Sequence, residues 1–209
     1  MKPKFLTKFE QDIAKLYEQG KIKAPVHLRD GNESVLCEIY KNINNEDYVF
    51  STWASHLHAL LKGVSPKRIK QDILDGKSIT LHYPDYNFYS SAIVGGIAPI
   101  AIGVAKALSE GSKGTRVFCF VGDMSFHSGI VNECVRYSIG HDLPITWVVE
   151  DNNKSVGTDT EATCGIPTQD LYESLKDLIN KYSCKSTDII YYSYKTSYPH
   201  SGTGVFVEF

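Results

Sequence analysis

Apolar residues recur at helical spacing from the start of the chain. Phe5, Phe9, Ile13 and Leu16 share one face, and Gly20 interrupts the pattern. This spacing predicts an opening helix with a charged, solvated outer face. A second helical pattern covers about residues 33 to 42, after the turn-forming "HLRDGNE". "WASHLHALLKG" reads as a third helix ending on Gly63. "SPKRIKQDILDG" reads as a fourth, with Ser65 as cap, Pro66 in the first turn and Gly76 as the stop. The Tyr-, Asn- and Ser-rich segment from about His82 to Ser91 reads as a loop. "GGIAPIAIGVAKALSEG" is full of small apolar residues and predicts a buried helix pressed closely against its neighbours.

From Arg116 the period changes to strand, helix, strand: "RVFCFV", then "GIVNECVRYSIG", then "PITWVVE". That is a βαβ unit. An amphipathic helix follows at about 168 to 183, then two β-rich pieces, "IIYYSY" and "VFVEF". "YYSYKTSYPHSG" suits either a substrate loop or an edge hairpin, and its turn-like Pro-His-Ser-Gly tip favours the hairpin. No repeat, low-complexity tract or linker interrupts the chain. The expectation is one α/β domain over residues 1–209: a three-layer fold, its sheet mostly parallel, with helices on both faces.

Composition narrows the partners. A net charge of −2 with both signs interspersed carries no nucleic-acid or membrane-surface signature. The amino terminus is too charged for a secretory signal, and no apolar run approaches membrane-spanning length. Five cysteines form no CxxC pair, which favours free thiols in a reducing compartment. Cytoplasmic is the expected location. Cys119 and Cys134, in apolar runs, read as small core residues.

In a βαβ unit both strands end on the same edge of the sheet. The first ends at Gly122-Asp123 and the second at "EDNN", residues 150 to 153, so Asp123 and Asn152 face one crevice. An Asp-Asn pair with a carbonyl and a phosphate suits Mg²⁺. On spacing alone, a plain turn explains these residues equally well. No GxGxxG supports dinucleotide binding.

The segment "GDMSFHSGIVNECVRYSIGHDLPITWVVEDNNKSVGT" resembles the thiamine diphosphate motif, GDG followed further on by NN. More closely, it is similar to the alpha subunit of 2-oxoacid dehydrogenase E1 components. The likeness extends upstream through "FEQDIAKLYEQGKI", "HLRDGNESV", "DYVFSTWASHLHALLKGV", "GKSITLH" and "AIVGGIAPIAIGVAKA". It implies a thiamine diphosphate-binding fold with Mg²⁺ held by Asp123, Asn152 and the carbonyl of Lys154, Asn153 being the substitute if the turn shifts. It implies that Gly122, Met124 and Ser125 lie against the diphosphate, and that Ala92 and Val94 meet the aminopyrimidine. Trp53 stands in the place of a tyrosine that contacts the cofactor. His27 matches a histidine facing substrate and is the preferred catalytic residue; His56, His58 and His82 match others near the active-site mouth. Two positions apart on a helix, His56 and His58 cannot face the same way, so one of them is expected to be structural.

Three positions depart from the family. Met124 replaces the last glycine of GDG. Ala54 stands where the dehydrogenase subunits carry an arginine for the diphosphate. Asp151 replaces the first Asn of ENN. The chain ends before the family's later His-containing phosphate loop, so His127 or His200 is expected to substitute. The glutamate that activates the aminopyrimidine belongs to a second, pyrimidine-side domain. The resemblance therefore implies a beta-like partner subunit, a hetero-oligomer active only when assembled, and a 2-oxo acid or ketose as substrate. The isolated chain is expected to self-associate through the segment from Gly95 to Leu108. Ketol transfer of the transketolase kind and a degenerate, non-catalytic partner subunit are the other readings.

Overall fold

The computed structural model describes residues 1–111 and 114–207. Among the described residues eight strands form: β1 (Tyr48–Ser51), β2 (His82–Tyr83), β3 (Phe88–Ser90), β4 (Val117–Gly122), β5 (Ile145–Asp151), β6 (Lys154–Ser155), β7 (Thr158–Asp159) and β8 (Asp188–Ser193). Six make one sheet in the order β2-β3-β1-β4-β5-β8. Every pairing within it is parallel except β2 with β3. The remaining two form a separate antiparallel hairpin.

Side-chain alternation along the central strands builds two cores. Phe118 and Phe120 of β4, with Val148 of β5, point to the face covered by α1 (Pro3–Glu18), α2 (Glu33–Ile39), α3 (His56–Leu61) and α4 (Pro66–Leu74). Val117, Cys119 and Val121, with Ile145, Trp147 and Val149, point to the opposite face. That face packs against α5 (Ile97–Gly111), α6 (Asp123–His127), α7 (Gly129–His141) and the later α9 (Thr168–Lys181); a short α8 (Thr160–Cys164) precedes the last. Strands covered on both sides are apolar throughout, which is why "RVFCFV" and "PITWVVE" stand out in the sequence. The three-layer α/β architecture is as expected. Among the described residues no helix is long and apolar enough to cross a membrane. All five cysteines are free, Cys119 and Cys134 being buried.

Local signals behave as their chemistry requires, with exceptions. Pro66 opens α4, but Ser65 makes no side-chain capping bond. The stretch from His82 to Ser91 is not a loop. β3 inserts beside β1, with Val49 opposite Phe88, because buried Tyr83 and Phe88 anchor two strands too short to show a period. The segment before Arg116 is buried on one face only. Ile97, Ala98, Ala101 and Ala105 face the sheet, whereas Ile100 on the outer face is 55% exposed. At its entrance Gly95 (φ +70°) lets this turn approach α7, since a Cβ there would stand 2.5 Å from Ile130 Cγ2. His141 ends α7 on the surface.

The carboxyl-terminal reading needs correcting. "IIYYSY" supplies β8, but residues 205–207 of "VFVEF" lie in no strand, and 208–209 fall outside the described residues. Nor does "YYSYKTSYPHSG" fold into a hairpin. β8 pairs with β5 alone, and the chain then crosses back over the "RDG" turn. Asp30 Oδ1 accepts from Thr196 Oγ1 (2.5 Å) and the Ser197 N–H (2.8 Å), and Oδ2 accepts from Ser197 Oγ (2.5 Å). The contact is close enough that a Cβ on Gly31 (φ +84°) would lie 2.2 Å from the Lys195 carbonyl oxygen.

Candidate functional site

Strands β4 and β5 run side by side with Gly122 opposite Glu150, so the residues that follow leave the sheet at one edge. Asp123 opens α6 there, 3% exposed. Asn152 follows β5. Both side chains converge on one backbone group: the Lys154 N–H donates to Asp123 Oδ2 (3.1 Å) and to Asn152 Oδ1 (3.0 Å). Two oxygens that share one N–H are close enough to share one cation. The contacts involve the Lys154 N–H, so they do not place its carbonyl as a third ligand.

The other Asp123 oxygen accepts the Met124 N–H at 2.7 Å. Burial pushes the Asp123 carboxyl up to about 7; the Met124 N–H opposes this and the nearby Asp151 carboxyl reinforces it. Asp151 is itself held by the Tyr191 hydroxyl at 2.7 Å and by the Asn153 N–H at 2.8 Å. A buried carboxylate in such surroundings is short of positive charge, and a divalent cation is what would keep it ionised. Among the described residues no cluster of three or more His, Cys, Asp or Glu side chains could cage a metal. A cation here would complete its shell with oxygens from a ligand, as Mg²⁺ does beside phosphates. The residues present fit a metal-bound diphosphate.

A cavity of about 410 Å³ opens beside this pair. It brings together His27, Trp53, Ala92, Val94, Gly122, Asp123, Met124, Ser125, Asn152 and Lys154, all singled out in the sequence, as well as Ala54. His27 meets Trp53 edge to face, with ring centroids 6.0 Å apart. Its Nδ1 is buried and has no hydrogen-bond partner among the described residues. Burial, helped by the charges of His200, His56 and Arg29, lowers the His27 pKa to about 4. The imidazole is therefore neutral at pH 7.

Two candidate histidines lie elsewhere. His56 is 1% exposed and does not line the cavity. Its Nδ1 pairs with Glu10 Oε1 at 3.1 Å and its Nε2 with Ser78 Oγ at 2.8 Å, a sealed network that no substrate reaches. His82 sits on the edge strand β2, exposed, against the Tyr89 ring. Neither lines the cavity. His58 is sealed too, between Ser51 Oγ (2.6 Å) and Glu150 Oε1 (3.2 Å), so neither histidine of the α3 pair is free.

The carboxyl-terminal segment supplies what the sequence left open. Tyr194, Thr196, Tyr198 and His200 line the cavity, carried there by the Asp30 clasp. His200 packs against His27 with ring centroids 4.9 Å apart. Its Nδ1 accepts the Val156 N–H at 3.3 Å, which leaves the neutral tautomer's proton on Nε2. Val156 lies at the tip of the β6–β7 hairpin with φ 48°, a strained setting for a β-branched residue. His127, the other proposed substitute, turns away to Thr168 Oγ1 (3.2 Å). Arg29 and Glu150 also line the cavity; both stand in quoted segments, but their pairing joins distant parts of the chain and the sequence reading gives neither a role.

Residues 1–170 match the family described as dehydrogenase E1 component. The chain is 30% identical over 176 residues to a pyruvate dehydrogenase E1 component subunit alpha of Porphyra purpurea, covering 76% of this chain and 51% of that protein. It is 29% identical over 163 residues to the same subunit of Rickettsia bellii, covering 73% and 50%. Over 165 residues it is 30% identical to the chloroplastic subunit alpha-3 of Arabidopsis thaliana, covering 71% and 39%. The chain thus spans about half the length, or less, of these relatives. With the strand-end pair, the cavity and this match in agreement, the chain belongs to the dehydrogenase E1 component family, as a protein similar to its alpha subunits.

Proposed function

We propose that this chain is the diphosphate- and Mg²⁺-binding subunit of a split thiamine diphosphate-dependent enzyme that decarboxylates a 2-oxo acid and passes on the acyl group. The observation that carries the reading is the meeting of Asp123 and Asn152 on the Lys154 N–H, at the mouth of the cavity. When bound, thiamine diphosphate supplies the carbanion-stabilising chemistry. Asp123 and Asn152 hold the cation and so fix the diphosphate end. Ala92, Val94 and Trp53 bound the space left for the rings. His27, neutral, accepts or relays a proton at the substrate oxygen. His200, on the far side of His27, helps to exclude water.

The activating glutamate and the remaining cavity wall come from a pyrimidine-side partner. The apolar outer surface around Ile93, Val94 and Ile100 suits such a contact. Five free cysteines suit a reducing compartment, the cytoplasm by this reading. A non-catalytic partner subunit is the second reading, favoured by Ala54 and Met124 in the cavity wall.

Co-expression with neighbouring genes, purification of the assembly and titration with thiamine diphosphate tests the proposal. Tight, Mg²⁺-dependent binding and turnover of a 2-oxo acid are expected of the assembly, and only weak binding of the chain alone. An isolated chain that turned over a 2-oxo acid unaided would contradict the split-enzyme reading. An assembly that bound no cofactor would support the non-catalytic one.

A further inference from the structure

We propose that Arg29 is a diphosphate-binding residue, supplying from the amino-terminal "HLRDG" segment the guanidinium contact that Ala54 cannot make. The inference rests on the functional reading above and names a residue to which the resemblance assigns no role.

Ala54 is 9% exposed and lines the cavity without offering a donor. The cavity has two permanently charged cationic side chains in its wall, Arg29 and Lys154. Lys154 is exposed, whereas Arg29 is 8% exposed and held in place. Its Nη1 pairs with Glu150 Oε2 at 2.5 Å, and its Nη2 donates to Thr52 Oγ1 at 3.3 Å. Glu150 lies opposite Gly122 in the β4–β5 register, so the pair is anchored at the strand ends that carry Asp123 and Asn152. A buried arginine whose charge faces a cavity is a costly arrangement unless its remaining donors find an acceptor. Those donors form a planar fork that matches phosphate oxygens.

Glu150 does not disqualify the site. Its Oε1 is engaged by the Tyr192 hydroxyl (2.5 Å) and by His58, and its Oε2 faces Arg29 in an ion pair, so it acts as a bracket. Glu150 balances the Arg29 charge, so what Arg29 offers a diphosphate is its donors, alongside a cation that Asp123 would hold. The same logic accounts for a chain that loses one arginine yet keeps the strand-end pair.

The test uses the full chain and inorganic pyrophosphate with Mg²⁺, followed by ³¹P NMR up to millimolar ligand, where weak binding is measurable. Removing Arg29 alone strands Glu150, so two milder variants are compared. Arg29→Lys keeps the charge and loses the fork, and the double variant Arg29→Gln with Glu150→Gln leaves no unpaired buried charge. Each is checked for a native fold by circular dichroism. Both should weaken pyrophosphate roughly tenfold, the scale of one charge-assisted contact. Unchanged affinity in the folded double variant would overturn the assignment and leave the diphosphate site standing. No binding by the unmodified chain would overturn both.

Discussion

His27 and His200 meet edge to face, their ring centroids 4.9 Å apart, although they come from opposite ends of the chain. Neither is presented by a regular element. His27 lies in the extended approach to the "RDG" turn, and His200 lies beyond β8, in the segment that Asp30 holds down. Each ring helps to exclude water from the other, so the pair behaves as a neutral wall of the cavity.

Its titration is the first consequence. His27 should show a pKa near 4 by NMR, below its ordinary 6.5. Between these values the unfolded chain binds a proton that the folded chain refuses, so stability falls as pH drops from 6.5 towards 4. A value near 6.5 would mean that the ring is solvated. In the assembled enzyme, His27→Ala should lower turnover by about a hundredfold and leave cofactor affinity nearly unchanged. Equal losses in both would mark His27 as structural.

The clasp that carries His200 gives a second prediction. In Gly31→Ala the new Cβ would stand 2.2 Å from the Lys195 carbonyl, and the backbone would have to adopt φ +84° with a side chain. We expect a loss of about 1–3 kcal/mol and rapid proteolysis between Tyr194 and His200. Asp30 makes the same contact sensitive to pH. Burial opposes its ionisation, but the Ser197 and Thr196 hydroxyls and nearby backbone N–H groups prevail and hold its pKa below the usual carboxylate range. Its contribution is full above the unfolded carboxylate pKa and is lost as pH falls through the lower folded value. Asp30→Asn should flatten the acid limb of the protease-resistance profile.

His56 provides the control for the candidate set. His56→Ala leaves Glu10 and Ser78 without their partner in a sealed site. Thermal unfolding should show a loss of roughly 1–3 kcal/mol for each group left unsatisfied. Cofactor affinity of the assembled protein should not change. A selective loss of affinity with normal stability would return His56 to the active site.

How much of this is legible in the sequence follows from where each contact comes from. β4, α7 and β5 are visible because central parallel strands are apolar on both faces and their connection is local. Asp123 and Asn152 stand at the ends of those strands, so their meeting follows from the βαβ geometry. β2 and β3 are hidden because two or three residues carry no period, and buried Tyr83 and Phe88 read like loop aromatics. Arg29 with Glu150 and Asp30 with Ser197 join residues more than a hundred positions apart, and no local pattern announces them. The turn-like "PHSG" misleads for the same reason: its Ser201 hydroxyl and Gly202 N–H donate to the Val26 carbonyl near the amino terminus, not to a neighbouring strand.

The measurement that bears most directly on the account is the binding of thiamine diphosphate and Mg²⁺ to the assembled protein, with and without Asp123. Isothermal calorimetry on the unmodified assembly and on Asp123→Ala, both verified as folded, makes the comparison. The account predicts Mg²⁺-dependent binding to the first and loss of measurable binding in the second, because Asp123 is the anionic member of the pair that meets on the Lys154 N–H. Equal affinity in a folded Asp123→Ala assembly would contradict it.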